Sequence, residues 1–240
     1  MRLAPNAAPA ADGLYETTPD PIVEAALPNS ALTRWLKQGL ARGECPLCRV
    51  AHKADREYLW NFFEENVHTD AGVTALRAGR GFCLAHGEAL CRLEIDGFGS
   101  TLGITEIYEV AFAGIVAELD ALDGAASAQP AAPCPACVNR ERELHANARH
   151  LVALLGEDPR SRARYRTTDG LCLPHFALVW PLAAGDTRDV LLTVQRASAH
   201  EVLDDLRHDR DGWRRALHLT GGWPAPDDLI GRPEARVAAG

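Results

Sequence analysis

Eight residues stand out by type and spacing. Cys45 and Cys48 form CPLC, and after 34 intervening residues Cys83 and His86 form CLAH. Cys134 and Cys137 form CPAC, and after 34 intervening residues Cys172 and His175 form CLPH. The second series repeats the first at an offset of 89 residues, with no insertion or deletion. Three thiolates and one imidazole make a closed tetrahedral set that suits zinc. Proline after the first cysteine fixes φ and removes a donor that would need a partner. CxxH at a helix start puts sulfur and imidazole on one face. There the free N–H groups and the helix dipole favour thiolate over thiol.

Disulfides are the competing use for these cysteines. Six of the seven lie in the repeat, each three with a histidine that a disulfide would not need. A chain of 240 residues needs no covalent staples. The opening MRLAPNAAPAADGLYETTPD has no compact apolar core, so it does not read as an export signal and a cytoplasmic location is expected.

Equal spacing in the two copies suggests that each closes its own site. The expected sets are therefore Cys45, Cys48, Cys83 and His86, and Cys134, Cys137, Cys172 and His175. Two zinc ions per chain follow, in structural sites, because four protein ligands leave no position open. The alternative is a pair of iron–sulfur clusters serving electron transfer or redox sensing, with histidine in place of one thiolate. Around zinc each set carries a formal charge of about −1. Arg49, Arg80, Arg140 or Arg142 is placed to offset it.

The elements that must hold these residues read as helices. Asn29 or Ser30 caps a helix that runs to about residue 41 and buries Leu32, Trp35, Leu36 and Leu40, with Gly43 as its stop. After CPLC, Val50, Leu59, Phe62 and Phe63 share a helical face. Gly79 and Gly81 break the chain before CLAH, whose helix carries Leu90 and Leu93 inward as far as Gly97 and Gly99. Residues 104–122 repeat apolar positions at three- and four-residue steps, from Ile104 to Leu122. Residues 124–133 are a linker by composition. The second copy repeats the plan and ends in a long helix over about 186–210, with Leu191, Val194, Ser198, Val202 and Leu206 on one side. Alternating windows are rare, so the fold class is all-α, with two pseudo-symmetric helical repeats. The expected organisation is an N-terminal arm over 1–30, repeats over 31–123 and 124–212, and a tail over 213–240. The interface between repeats, and any ligand cleft, is expected between the helices near 104–122 and 186–206.

Other candidates carry less chemistry. Cys91 aligns with Trp180 and reads as a buried free thiol. His145 and His150 align with Arg56 and Asn61, on a solvated face. RSRARYR, residues 160–166, reads as a surface loop among Glu157, Asp158 and Asp169. GGWP, 221–224, reads as tail packed on its own domain. A net charge of −8 argues against nucleic acid or an anionic membrane as partner, and no apolar run is long enough to span a bilayer. No Walker loop, dinucleotide glycine pattern or HExxH helix is present, so no catalytic residue is assigned.

Aligning 45–86 with 134–175 matches Cys45, Pro46, Cys48, Arg77, Gly81, Cys83, Leu84 and His86 with their counterparts. This doubled CPxC and G-[FL]-C-L-x-H arrangement resembles a family of uncharacterised bacterial proteins. The resemblance covers about 45–180 and implies a metal-binding helical protein, without supplying an activity. The function expected from the residues is a zinc-stabilised helical protein that binds an unidentified protein or small molecule.

Overall fold

The computed structural model describes residues 31–120, 131–208 and 212–222. The N-terminal arm, the Asn29/Ser30 cap, Leu122 and Trp223 lie outside these residues. Every regular element among the described residues is helical.

The first helix, α1 (Ala31–Arg42), stops where expected: Gly43 adopts φ 77 and its N–H bonds back to the Leu40 carbonyl. Helix α2 (Pro46–Asn61) starts directly on Cys45 and passes into a π-helical turn, Phe62–Asn66. Helix α3 (Asp70–Gly79) was not expected. Thr69 caps it, its hydroxyl accepting the Gly72 N–H at 3.0 Å, and Arg80 ends it at φ 52. Helix α4 (Leu84–Phe98) starts on Cys83, runs through Gly97 and ends at Gly99. Helix α5 (Leu102–Asp120) takes its N-terminal cap from α4. The Glu94 carboxylate, 1% exposed, accepts the N–H groups of Gly103 and Ile104, each at 2.8 Å.

In the second copy, α6 (Pro135–Glu157) starts on Cys134. RSRARYR is not a loop. It forms most of α7 (Pro159–Tyr165), because Asp158 caps the turn and Tyr165 is buried in the core. Its arginines close other helix ends: Arg162 donates to the Leu155 carbonyl at 2.7 Å and Arg164 to that of Leu40 at 3.1 Å. Helix α8 (Leu173–Val179) starts on Cys172, α9 (Gly185–His208) is the expected long helix, and α10 (Gly212–Gly221) packs on α8 and α9.

The centre is the pair α2 and α6, which run antiparallel. Val50 near the start of α2 shares a core with Leu151, Leu154 and Leu155 near the end of α6. Leu59 and the adjoining Phe62 share another with Ala136 at the start of α6. Each core thus draws residues from both sides of the 124–133 linker. The expected interface between 104–122 and 186–206 is not what joins the copies. Helix α5 packs on α3 and α4, and α9 packs on α6 and α10. Leu119 and Leu206, on the apolar series of these two helices, are 58% and 49% exposed.

Candidate metal centres

All four motifs, two Cys–Cys and two Cys–His pairs, sit at helix N-termini, as the spacing requires. Cys45 and Cys48 open α2, Cys83 and His86 open α4, Cys134 and Cys137 open α6, and Cys172 and His175 open α8. The eight residues gather into two sets, but not within the copies. One set is Cys45, Cys48, Cys172 and His175, and the other is Cys83, His86, Cys134 and Cys137. Each CPxC meets the CxxH of the other copy.

The local pairing expected from equal spacing is therefore corrected. A helix of 16 residues such as α2 carries the chain about 24 Å from its start at 1.5 Å per residue. Antiparallel packing then lays the start of each long helix beside the far end of the other. Beyond the equal spacing, local closure has only loop entropy in its favour, about 1 kcal/mol, which the packing of α2 on α6 outweighs.

In the first set, Sγ of Cys172 lies 3.9 Å from Cys45 and 3.6 Å from Cys48. Nδ1 of His175 lies 3.5, 3.4 and 3.1 Å from Cys45, Cys48 and Cys172. In the second, Cys83 and Cys137 are 3.8 Å apart, and Nδ1 of His86 lies 3.2, 3.6 and 3.4 Å from Cys83, Cys134 and Cys137. Within each set all four donor atoms fall within 4.8 Å of one another, and either set could hold a metal ion.

The surroundings differ. Cys45, Cys48 and Cys172 are 0, 4 and 1% exposed. Gly222, at φ 98, brings the backbone over them: a β-carbon there would stand 3.3 Å from the Cys48 sulfur. In the second set Cys83 is exposed, and Cys134 and Cys137 are half-buried. His86 is buried, and its outer nitrogen Nε2 stands 3.1 Å from Asp55 Oδ1, while Arg140 reaches Asp55 Oδ2 at 3.3 Å. The counterparts of Asp55 and Arg140 at the 89-residue offset are Leu144 and Ala51, so this polar brace belongs to one set alone. Tyr108 packs over the α4 start, where a β-carbon at Gly87 would come within 2.4 Å of its hydroxyl.

Charge repulsion among the thiols shows in their acidities. At Cys45 burial, then hydrogen bonds with Cys172 and Cys48, push the thiol well up, whereas hydrogen bonds from Cys45 and Cys48 pull Cys172 down. Burial opposes ionisation of Cys134, but hydrogen bonds from His86 and from backbone groups prevail and lower it to about 6. Burial and the neighbouring Cys134 push Cys137 up to about 12. His86 is raised to about 10, chiefly by its hydrogen bond to Asp55. In each set one thiol ionises readily and opposes ionisation of another. A cation among the sulfurs removes that conflict, so the donor chemistry fits a metal.

Of the arginines named from sequence, Arg140 reaches a ligand through Asp55. Arg49, next to Cys48, is 1% exposed, with its guanidinium 5.3 Å from the Trp35 ring. Arg80 pairs with Glu118 and Arg142 with Asn139. Cys91 is half-buried and in neither set. His145 is exposed near Glu141, and His150 bonds the Ala146 carbonyl. Sequence reasoning missed Asp55, and it read Gly222 in GGWP as packed tail without placing it over the sulfurs. The alignment held a signal for the first, because a carboxylate aligned with leucine marks a place where two like sites differ.

A polar cavity of about 600 Å³ opens between α2, the π-helical turn, α3 and α6. Lys53, Glu57, Tyr58, Asn66, Asn139 and Arg142 contribute to its walls. It is not in the cleft expected between α5 and α9.

The model of a family of unknown function, DUF6062, matches residues 38–189, a span that contains all eight cysteine and histidine positions. No curated protein and no solved structure matches the chain.

Proposed function

The chain belongs to the DUF6062 family, and on that footing we propose that it is a helical protein braced by two zinc ions, whose framework presents a binding surface for a small polar molecule. The two crossed Cys3His sets carry this reading. At a Zn–S length of about 2.3 Å and a Zn–N length of about 2.0 Å, tetrahedral ligands stand about 3.8 Å apart for two sulfurs and about 3.5 Å apart for sulfur and nitrogen. The sulfur pairs at 3.6 to 3.9 Å and the sulfur–nitrogen pairs at 3.1 to 3.6 Å match those edges. An iron–sulfur cluster spreads its ligands over several iron atoms; the compact donor sets favour a single ion instead.

Zinc here acts as a cross-brace. Each ion joins the start of one long helix to the other copy, so the two ions pin α2 against α6 from both ends. Four protein ligands fill each tetrahedron, which supports a structural role. The pinned α2–α6 pair forms walls of the polar cavity, whose cations Lys53 and Arg142 are balanced by Glu57 and Glu143. That balance suits a neutral or zwitterionic molecule better than a polyanion, in keeping with the net charge of −8. A reducing cytoplasm would keep the thiols available. Among the described residues no helix is long and apolar enough to cross a membrane.

Metal analysis of anaerobically purified protein tests the reading. Two equivalents of zinc and a colourless solution are expected. Iron with absorbance near about 400 nm, the signature of thiolate-bound clusters, would replace it with the electron-transfer alternative.

A further inference from the structure

The two sets share their ligand types and differ in almost everything around them. The first lies in the main core with three sulfurs buried, under the backbone of Gly222. The second lies open on the side of Cys83, and Cys134 and Cys137 are half-buried beside it. Its histidine is the best-held ligand, buried and tied to Asp55, which Arg140 holds in turn. One edge of this set is therefore rigid and the opposite edge is open to solvent.

We infer that Cys83 is a modification site: an exposed metal-bound thiolate that reacts with small peroxides and releases the metal of the second set, while the first set stays intact. The inference rests on the metal reading. Metal binding removes the thiol proton, and exposure decides which thiolate an oxidant reaches. Cys83 attacks one oxygen of hydrogen peroxide, the O–O bond breaks, and a sulfenic acid forms with loss of hydroxide. Cys137, whose sulfur is 3.8 Å away, then attacks the Cys83 sulfur. An S–S bond forms and a second hydroxide leaves. Two protons convert the two hydroxides to water, so two electrons from the sulfurs reduce one peroxide. The metal keeps two of four ligands, Cys134 and His86, and departs. A thiol reductant reverses the step and restores the site. The sulfurs of the first set stand equally close to one another, so exposure rather than sulfur spacing makes the difference.

The test follows metal release from the full-length two-metal protein with a colorimetric chelator, as hydrogen peroxide is added from zero to one equivalent. One metal should leave at least tenfold faster than the other, and peptide mapping should find a Cys83–Cys137 disulfide with Cys45, Cys48 and Cys172 still reduced. A Cys91→Ala protein should behave identically, which separates the free thiol from the site. Both metals leaving together, or disulfide appearing first among Cys45, Cys48 and Cys172, would overturn the inference and leave the metal reading standing. Protein that is folded and holds no metal would overturn both.

Discussion

The sulfur of Cys45 stands 3.9 Å from that of Cys172, 127 residues further along the chain. Residues so placed should be energetically coupled, and residues in different sets should not. Cys45→Ala and Cys172→Ala should each remove the same metal ion. The double variant should therefore lose little more stability than either single one, and should keep one equivalent of metal. Cys45→Ala with Cys83→Ala should lose both equivalents, with effects that add to within about 0.5 kcal/mol. Metal content and melting of wild type, the three single variants and the two double variants decide the matter, and the opposite pattern of coupling would restore the local pairing.

Asp55 holds Nε2 of His86 at 3.1 Å and so fixes the ring with Nδ1 toward the sulfurs. Such partners are worth about 10- to 100-fold in metal affinity. Asp55→Asn should weaken the second set by that factor and leave the first unchanged. Competition with a chelator of known affinity measures this, and equal weakening of both sets would mean that Asp55 acts through the fold as a whole.

The same pair gives a pH dependence whose sign differs between the metal-free and metal-bound states. Without metal, the hydrogen bond to Asp55 raises His86 from 6.5 to about 10. A group whose folded pKa is raised adds stability that is complete below its unfolded value and lost as pH climbs through the folded one. The stability advantage of chelated wild type over chelated Asp55→Asn should thus be full below pH 6.5 and fade towards pH 10. In the metal-bound protein the imidazole must be neutral and the thiols ionised, so acid displaces the metal. Melting of the four samples across that range tests the crossing trends, and an advantage that grows with pH in the chelated protein would contradict the assignment.

Glu94 makes a stability prediction independent of metal. It is buried and accepts two N–H groups at the start of α5. Glu94→Ala leaves both donors unmatched inside the protein and should cost about 2–4 kcal/mol. Denaturant unfolding of metal-loaded protein reads this directly, and a loss below about 0.5 kcal/mol, the level of an ordinary surface change, would mean that water satisfies the donors.

What the sequence made legible was chemistry more than geometry. Eight ligand positions could be read because metal chemistry restricts them to two residue types at fixed steps, and the helical class could be read from periodicity. Which half-sites meet depends on how α2 packs on α6, a long-range choice with no local signature. Helix α3 leaves little signal because its sequence, DAGVTALRAG, includes two glycines and only two large apolar residues, Val73 and Leu76. RSRARYR reads as a loop in the sequence but is held as a helix, because Arg162 and Arg164 donate to carbonyls of α6 and α1 and Tyr165 is buried in the core. Leu119 and Leu206 continue apolar series that periodicity cannot tell from buried faces, yet they are exposed near the far ends of α5 and α9.

Gly222 yields the last prediction. Its φ of 98 lies where side chains are strained, and its missing β-carbon leaves room beside Cys48 and Cys172, at 3.3 and 3.9 Å. A β-branched residue adds both backbone strain and bulk against two sulfurs. Gly222→Val should therefore lift the chain away from the first set, at a cost of about 1–3 kcal/mol. The consequence to measure is kinetic. In wild type the first set should release its metal slowly, because its sulfurs are covered. In Gly222→Val that slow release should accelerate toward the rate of the open second set, while release from the second set stays as it was. Chelator-driven release from metal-loaded wild type and Gly222→Val, followed as two phases, makes the comparison. An unchanged slow phase in a folded variant would show that burial by the other helices, and not the Gly222 backbone, protects the first set.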